Sequence, residues 1–463
     1  MNPTFKVSIW EIKTLKPGTD GKKRPKPYGV RWLTAGKEHS EWYRTKALAN
    51  NRRSNLIQAT QNGEAFDIKS GLPESEFKLQ SARSLLQLAQ EFIGDEWQES
   101  APNTRKRYVD TLAIPVAAFV NTTKDVPDER ALRRVLTTCL LPLNQRDRVL
   151  TPEESTIVEW IKSASRPVRE LASKVETANL LRAVAKNLGG KSAAAWTTRT
   201  RRGVLHHLLS YAVDAEELVA NPVTGLRASV QRGNSEVDPR AVLNTRQAPQ
   251  LLSAVTYAGT KRGQYDYLYA FFAVMYYGAL RPCEVNRIRE VDCELPETGW
   301  GELLLSKSAS RSNARYIDSG ELWEERNLKR RAEGAVRPVP IPPVLVRILR
   351  WHLKTFGTTA DGRLFRGTIS GGPVSATVYT DAWRKARKIG LSPLQEASPL
   401  AGDPYDLRHA AVSTWLAAGV SPAEVAERAG HTVDVLLKVY ARVLDGQRET
   451  SNKRIDELLD DES

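Results

Sequence analysis

Cysteine is scarce in this chain. Its 463 residues include three, Cys139, Cys283 and Cys293, none in a CxxC pair. Three cysteines cannot build a disulfide framework, so a reducing, cytoplasmic compartment is expected. Long apolar runs are missing as well. The longest, Tyr267–Leu280, has 14 residues, short of the roughly 20 that span a bilayer. It reads as a buried helix, and no membrane partner is expected. The opening MNPTFKVSIWEIK has no apolar segment of the kind a signal peptide carries. No internal repeat or biased tract stands out, and there is no Walker A pattern and no HExxH. His206 and His207 are adjacent, so on a helix they point about 100° apart and do not suit one small ion. Neither a metal nor a cofactor is expected.

What is present is positive charge. Lysine and arginine total 68 against 54 acidic residues, a net charge of +14 with a pI near 9.6. Such a balance favours a polyanionic partner, most often nucleic acid. At about 150 residues per domain the length suggests about three domains.

Residues 1–70 read as a small β-rich module. Strand-like alternation covers 6–10, 28–32 and 41–43, and Thr45 caps a helix over 46–60. Between the first two strands lies a loop with Lys16, Lys22, Lys23, Arg24 and Lys26. Basic residues beside aromatics on a small sheet suit a reader of a DNA groove. A polar linker at 69–76 leads to a helical stretch, 77–230. Its helices are expected from about Ser81, from Asn103, and over 131–140, 153–163, 167–187 and 198–213. Two helix starts are basic: Arg105, Lys106 and Arg107 in one, Arg199, Arg201 and Arg202 in the other. Both sets are candidate phosphate contacts. A second linker, 227–241, precedes a third segment, 240–463, mainly helical with two strands near 303–307 and 336–341. The fold class expected is therefore multidomain α+β.

The chemistry concentrates near the C-terminus. Tyr405-Asp406-Leu407-Arg408-His409, Gly430-His431-Thr432 and Tyr440 follow one another, and Arg281 lies upstream in Gly278-Ala279-Leu280-Arg281-Pro282-Cys283-Glu284. Planar guanidinium forks on Arg281 and Arg408 match the equatorial oxygens of a phosphodiester in its transition state. His431 adds a hydrogen bond to the same phosphate. Tyr440 is placed to attack phosphorus and form a covalent phosphotyrosine. The leaving 5′ oxygen needs a proton, and a lysine on a hairpin can deliver it. Lys329, ahead of Gly334 and the second strand, is the first choice, with Lys307 as fallback. Each residue alone has a plainer reading; a tyrosine on an apolar helix face, for example, is more often core than nucleophile. It is their order and spacing that carry the case.

These motifs resemble those of the tyrosine recombinases of the phage-integrase type. The resemblance is carried chiefly by 240–445, extends over 80–225 and is faintest over 1–70. It implies an arm-type DNA-binding module at 1–70, a core-binding domain at 77–230 and a catalytic domain at 240–463. It places the active site on Arg281, Lys329, Tyr405, Arg408, His431 and Tyr440. The partners it implies are double-stranded DNA attachment sites, a homotetramer on DNA, and accessory bending or directionality factors, all at the nucleoid. One departure stands out: the first position of the family's HxxR motif is Tyr405. A phenol can donate a hydrogen bond to phosphate but is a poor proton acceptor at neutral pH. That leaves open a DNA-binding protein without catalysis. A type IB topoisomerase-like enzyme, which shares the chemistry, is the other alternative.

Overall fold

The structure is a computed structural model. It describes the chain apart from residues 17–23, 81, 122–124, 227–236, 320–322, 329–333, 368–370, 446–451, 453–454, 458 and 460–463. Two compact units emerge, Met1–Arg232 and Gly233–Ser463.

The first unit opens with a short ladder, β1 (Pro3–Thr4), which later pairs with β6 (Phe66–Asp67). Next comes a four-stranded antiparallel sheet of β2 (Val7–Ile9), β3 (Lys13–Thr14), β4 (Tyr28–Thr34) and β5 (Lys37–Tyr43). β4 pairs with the other three strands. Its hairpin with β5 turns on Ala35 and Gly36, at φ 44° and 93°. Two successive positive φ values give the twist that a two-residue hairpin needs. Val30 and Trp32 on β4 are buried together with Ala49, Leu56 and Ala59 of α1 (Lys46–Gln61) and with Phe66. Thr45 caps α1 by accepting from the Leu48 N–H. Arg52 on α1 is paired with Glu41 and Glu76, and Arg53 with Glu11.

The rest of this unit is helical: α2 (Glu74–Gln80), α3 (Leu85–Trp97), α4 (Pro102–Ala118), α5 (Glu129–Val135), α6 (Pro152–Ala164), α7 (Lys174–Val184) and α8 (Ala195–Asp214). Reciprocal Ser84/Gln87 and Thr151/Glu154 hydrogen bonds start α3 and α6. The segment 167–187, expected as one helix, is interrupted. A short tight turn at Val168–Ala172 ends at Ser173, whose extended backbone separates it from α7.

The second unit is built around α10 (Asp266–Tyr277). Nine of its twelve residues are buried. α9 (Gln247–Thr256), α12 (Pro343–Phe356), α13 (Ala376–Gly390) and α15 (Asp406–Ala417) contribute to the same core. Phe272 lies 5.0 Å from Trp383 of α13, centroid to centroid. α11 (Pro282–Val285) follows α10 directly. β7 (Cys293–Glu294), β8 (Gly301–Leu305) and β11 (Arg337–Ile341) form a three-stranded antiparallel sheet. The charged stretch between β8 and β11 is not a bare loop. β9 (Lys307–Arg311) and β10 (Trp323–Asn327) pair within it as a second hairpin. The chain closes with α14 (Pro393–Glu396), α15, α16 (Pro422–Ala429) and α17 (Val433–Asp445). No helix among the described residues is long and apolar enough to cross a membrane.

Because Phe272 is fully buried in the α10 core, Phe272→Ala should cost about 3–5 kcal/mol. Urea unfolding of the purified variant, compared with wild type, measures this.

Candidate active site

The site starts where α10 has to stop. Gly278 ends the helix and Ala279 takes φ 52°. This reverses the chain, so that Arg281 becomes the residue that caps α11. Three residues on, the Glu284 carboxylate turns back. It accepts from the Arg281 backbone N–H at 2.8 Å and from its Nη1 at 2.9 Å.

Glu284 is almost wholly buried, and two more guanidinium groups share it. Arg337 Nη2, from the first residue of β11, lies at 3.0 Å. Arg408 Nη1, from the first turn of α15, lies at 4.0 Å. Arg337 and Arg408 are themselves 2% and 0% exposed, so these two are shielded from water, while Arg281 stays partly open to it. Burial alone would push the Glu284 carboxyl up. Arg337, Arg281 and Arg408 instead hold it down to about 2. Burial and the neighbouring Arg281 pull the Arg408 guanidinium below its ordinary value.

The end of α16 supplies the other half of the cradle. Gly430 adopts the left-handed conformation that closes a helix. The carbonyls it leaves unpaired are taken by the same arginines. Ala429 O accepts from Arg408 Nη2 and from Arg337 Nη1, the latter at 3.5 Å. Gly430 O accepts from Arg281 Nη2 at 3.0 Å. The negative end of a helix dipole thus faces three cations. A Cβ at position 430 would lie 1.8 Å from Arg337 Nη1, so both the backbone angle and the close approach demand glycine there.

His431 follows at once, and its Nε2 lies 2.7 Å from Arg408 Nη2. Burial first, then Arg408 and Arg281, lower its imidazole to about 3. Tyr440 sits in α17 at φ −115° and ψ 20°, where the helix kinks. Its ring is 1% exposed, packed with Ala279, Val412, Leu416 and Val425. The Tyr440 and His431 rings stack at 6.4 Å. Burial raises the phenol above its ordinary range, while Arg408 and Arg281 pull it down. The Tyr440 hydroxyl lies 2.8 Å from His409 Nδ1. Tyr405 caps α15, with its ring 5.2 Å from that of His409 and 5.9 Å from Arg408 Cζ.

Arg281, Tyr405, Arg408, His431 and Tyr440 are therefore brought into one place. Lys329 lies outside the described residues. Lys307 is on β9, exposed, with its ammonium 3.1 Å from Glu325 of β10. Three participants escaped the sequence reading. Glu284 stands in the quoted motif without a role, although its position three residues after Arg281 is a cap signature. Arg337 begins a strand that its sequence marks only by alternation. His409 is four residues after Tyr405, a spacing that puts both on one helix face. Among the described residues no group of three or more His, Cys, Asp or Glu could hold a metal ion.

The candidate DNA contacts of the first unit divide. Lys22 and Lys23 lie outside the described residues. Arg24 is exposed, with Nε 3.3 Å from Lys16 O. Lys106, Arg107 and Arg199 are exposed. The basic starts of α4 and α8 meet at a shallow cleft lined by Lys106, Arg107, Asp110, Trp196, Thr200 and Arg201. Arg105 points the other way. It is buried, donating to the Trp97 and Ser100 carbonyls and lying over the Trp97 ring, so it serves the α3–α4 junction rather than a phosphate. Arg201 donates to the Val184 and Lys186 carbonyls, and Arg202 to those of Val223 and Leu226. Both are half-buried and spent largely on chain ends.

No protein-family model matches the sequence, and no curated protein matches it significantly. Solved structures do match. The Tn1549 transposon integrase in complex with transposon right end DNA aligns at TM-score 0.55 and 17% identity, over 81% of this chain and all of that one. The same integrase with a circular intermediate DNA aligns at TM-score 0.53 and 17% identity, over 77% of this chain and 94% of that one. The chain has the tyrosine recombinase fold.

Two outcomes follow from the cluster. Glu284→Gln leaves two buried guanidinium groups, Arg337 and Arg408, and the half-buried Arg281 without their counter-charge and should destabilise the protein by about 3–5 kcal/mol in denaturant unfolding. The site should also make stability depend on pH. His409 and His431 titrate at about 4 and about 3 in the fold, against about 6.5 in an unfolded chain. As pH falls below 6.5 the unfolded chain binds protons that the folded one refuses. The stabilisation is full above that pH and drains away towards pH 3 to 4. Thermal melts between pH 8 and pH 4 should fall accordingly, and His431→Asn should make the fall shallower.

Proposed function

We propose that this chain is a site-specific DNA recombinase, an integrase that cuts and rejoins strands through a covalent 3′-phosphotyrosine at Tyr440. The observation that carries the reading is the concentration of charge beside that tyrosine. Three guanidinium groups share one carboxylate, which leaves an excess of two positive charges. The two imidazoles nearby are neutral at pH 7. An anion of one charge that gains more in its transition state, such as a phosphodiester, suits that field.

In the proposed reaction Arg281 and Arg408 hold the non-bridging oxygens. His431 donates to the same phosphate: a guanidinium can only donate, so its contact with His431 Nε2 leaves the imidazole proton on Nδ1. That Nδ1 is buried without a hydrogen-bond partner in the protein. Tyr440 attacks phosphorus, and the phosphotyrosine bond conserves the energy needed for a second 5′ hydroxyl to reverse the step. Lys329 is the proposed acid for the leaving oxygen, since Lys307 is tied to Glu325.

Arg24, Lys106, Arg107 and Arg199 are the proposed phosphate contacts of the first unit. The transposon integrase that shares the fold was solved with transposon right end DNA and with a circular intermediate DNA, which supports integration or excision of a mobile element. By the same resemblance, four protomers act on two attachment sites, with accessory bending or directionality factors. Tyr405 in the histidine position favours a second reading, a DNA-binding protein that does not cut.

Nicked duplexes tiled across the DNA flanking the gene test this, incubated with protein in EDTA and run on denaturing gels. Wild type should form a covalent adduct, and Tyr440→Phe, which has no hydroxyl to bond phosphorus, should form none. Tight binding with no wild-type adduct would favour the non-cutting reading. Relaxation of a plasmid without any defined site would favour a topoisomerase.

A further inference from the structure

The proposed chemistry has a gap: something must take the Tyr440 proton. Three side chains stand beside the phenol or its neighbours. His431 cannot do it, because Arg408 occupies its Nε2 and its other nitrogen carries the proton. Tyr405 holds the position where the family has a histidine, and a phenol is a weak acceptor at neutral pH. His409 remains. Its Nδ1 is 2.8 Å from the Tyr440 hydroxyl, within the range that proton transfer needs.

We infer that His409 is the group that accepts the Tyr440 proton during strand cleavage, supplying the imidazole that the Tyr405 position lacks. The inference rests on the proposed strand-transfer reading. One helical turn separates the two positions, so Tyr405 and His409 share a face of α15 and their rings touch at 5.2 Å. The His409 imidazole, one turn on, reaches the Tyr440 hydroxyl directly.

The step balances. The Tyr440 oxygen bonds to phosphorus, and its proton moves to His409 Nδ1. The bond from phosphorus to the 5′ oxygen breaks, and that oxygen leaves with a proton from Lys329, its proposed donor. On rejoining, the incoming 5′ hydroxyl returns a proton to the lysine. The His409 imidazolium returns its own to the Tyr440 oxygen as the phosphotyrosine bond breaks.

The surroundings set how basic His409 can be. Arg408 on its own helix, Asp403 before that helix, Tyr405, Tyr440 of α17 and His431 beyond α16 are the groups that face it. Burial, and then Arg408, hold its imidazole at about 4. It is therefore neutral and able to accept at pH 7. A phosphate anion seated on Arg408 cancels part of the opposing field and raises its basicity when the substrate is in place.

Single-turnover cleavage of the nicked duplexes tests the assignment, with DNA binding followed by mobility shift. His409→Ala should slow adduct formation at pH 7 about 10²–10⁴-fold and leave binding unchanged. The deficit should shrink as pH rises towards 9, where hydroxide removes the proton instead, and added imidazole should restore part of the rate. His409→Asn can still hydrogen-bond the phenol but has no basic nitrogen. It should remain slow, and it provides the reading should the alanine variant fail to fold. A His409→Ala rate within about threefold of wild type with the same pH profile would overturn the inference. So would full activity in His409→Asn, which makes the contact one of position alone. In both cases the wild-type adduct still stands, so the strand-transfer reading survives. A wild type that forms no adduct removes both.

Discussion

One buried carboxylate carries the arrangement of this site. Glu284 touches or approaches Arg281, Arg337 and Arg408, which come from a helix cap, a strand start and a helix start distant in sequence. Three guanidinium groups held this close, two of them wholly buried, would repel one another strongly without it. With it they are fixed in place and still carry excess positive charge. The carbonyls at the end of α16 complete the enclosure, and Gly430 lets that helix end approach closely enough to do so. His431 follows at once where α16 stops. Tyr440 packs beside this cluster, against Ala279 and the α15–α16 core, with its hydroxyl on His409.

This division of labour separates charge from protons. The arginines cannot exchange protons at any pH where the protein is folded, so they supply only electrostatics and position. Both imidazoles are kept neutral by burial and by the Arg408 charge. One is locked as a donor by its arginine; the other faces the phenol. One turn after Tyr405, the His409 imidazole meets the Tyr440 hydroxyl.

The sequence revealed the parts whose signals are local. The turn after α10, the Tyr405–His409 cluster, Gly430 and Tyr440 each stand in a short motif, and the spacing of those motifs suggested a phosphate cradle. The mixed α+β class was also readable, because strand alternation near the N-terminus gives way to helical periodicity. What was not readable depends on distant contacts. Arg337 looks like any strand-edge arginine until β11 sets it against Glu284. Arg105 carries the same charge as its neighbours Lys106 and Arg107, and only the Trp97 ring and two carbonyls turn it inward. The β9–β10 hairpin hid inside a charged stretch because its pairing, Lys307 opposite Asn327, spans twenty residues.

The central claim is that Tyr440 becomes covalently bound to a 3′ phosphate of DNA. Its most direct test is mass spectrometry of the protease-digested adduct formed on end-labelled nicked duplex in EDTA. The account predicts a single modified peptide containing Tyr440, with the nucleotide joined through its 3′ phosphate. Attachment at Tyr405, at another residue, or through a 5′ phosphate would contradict it.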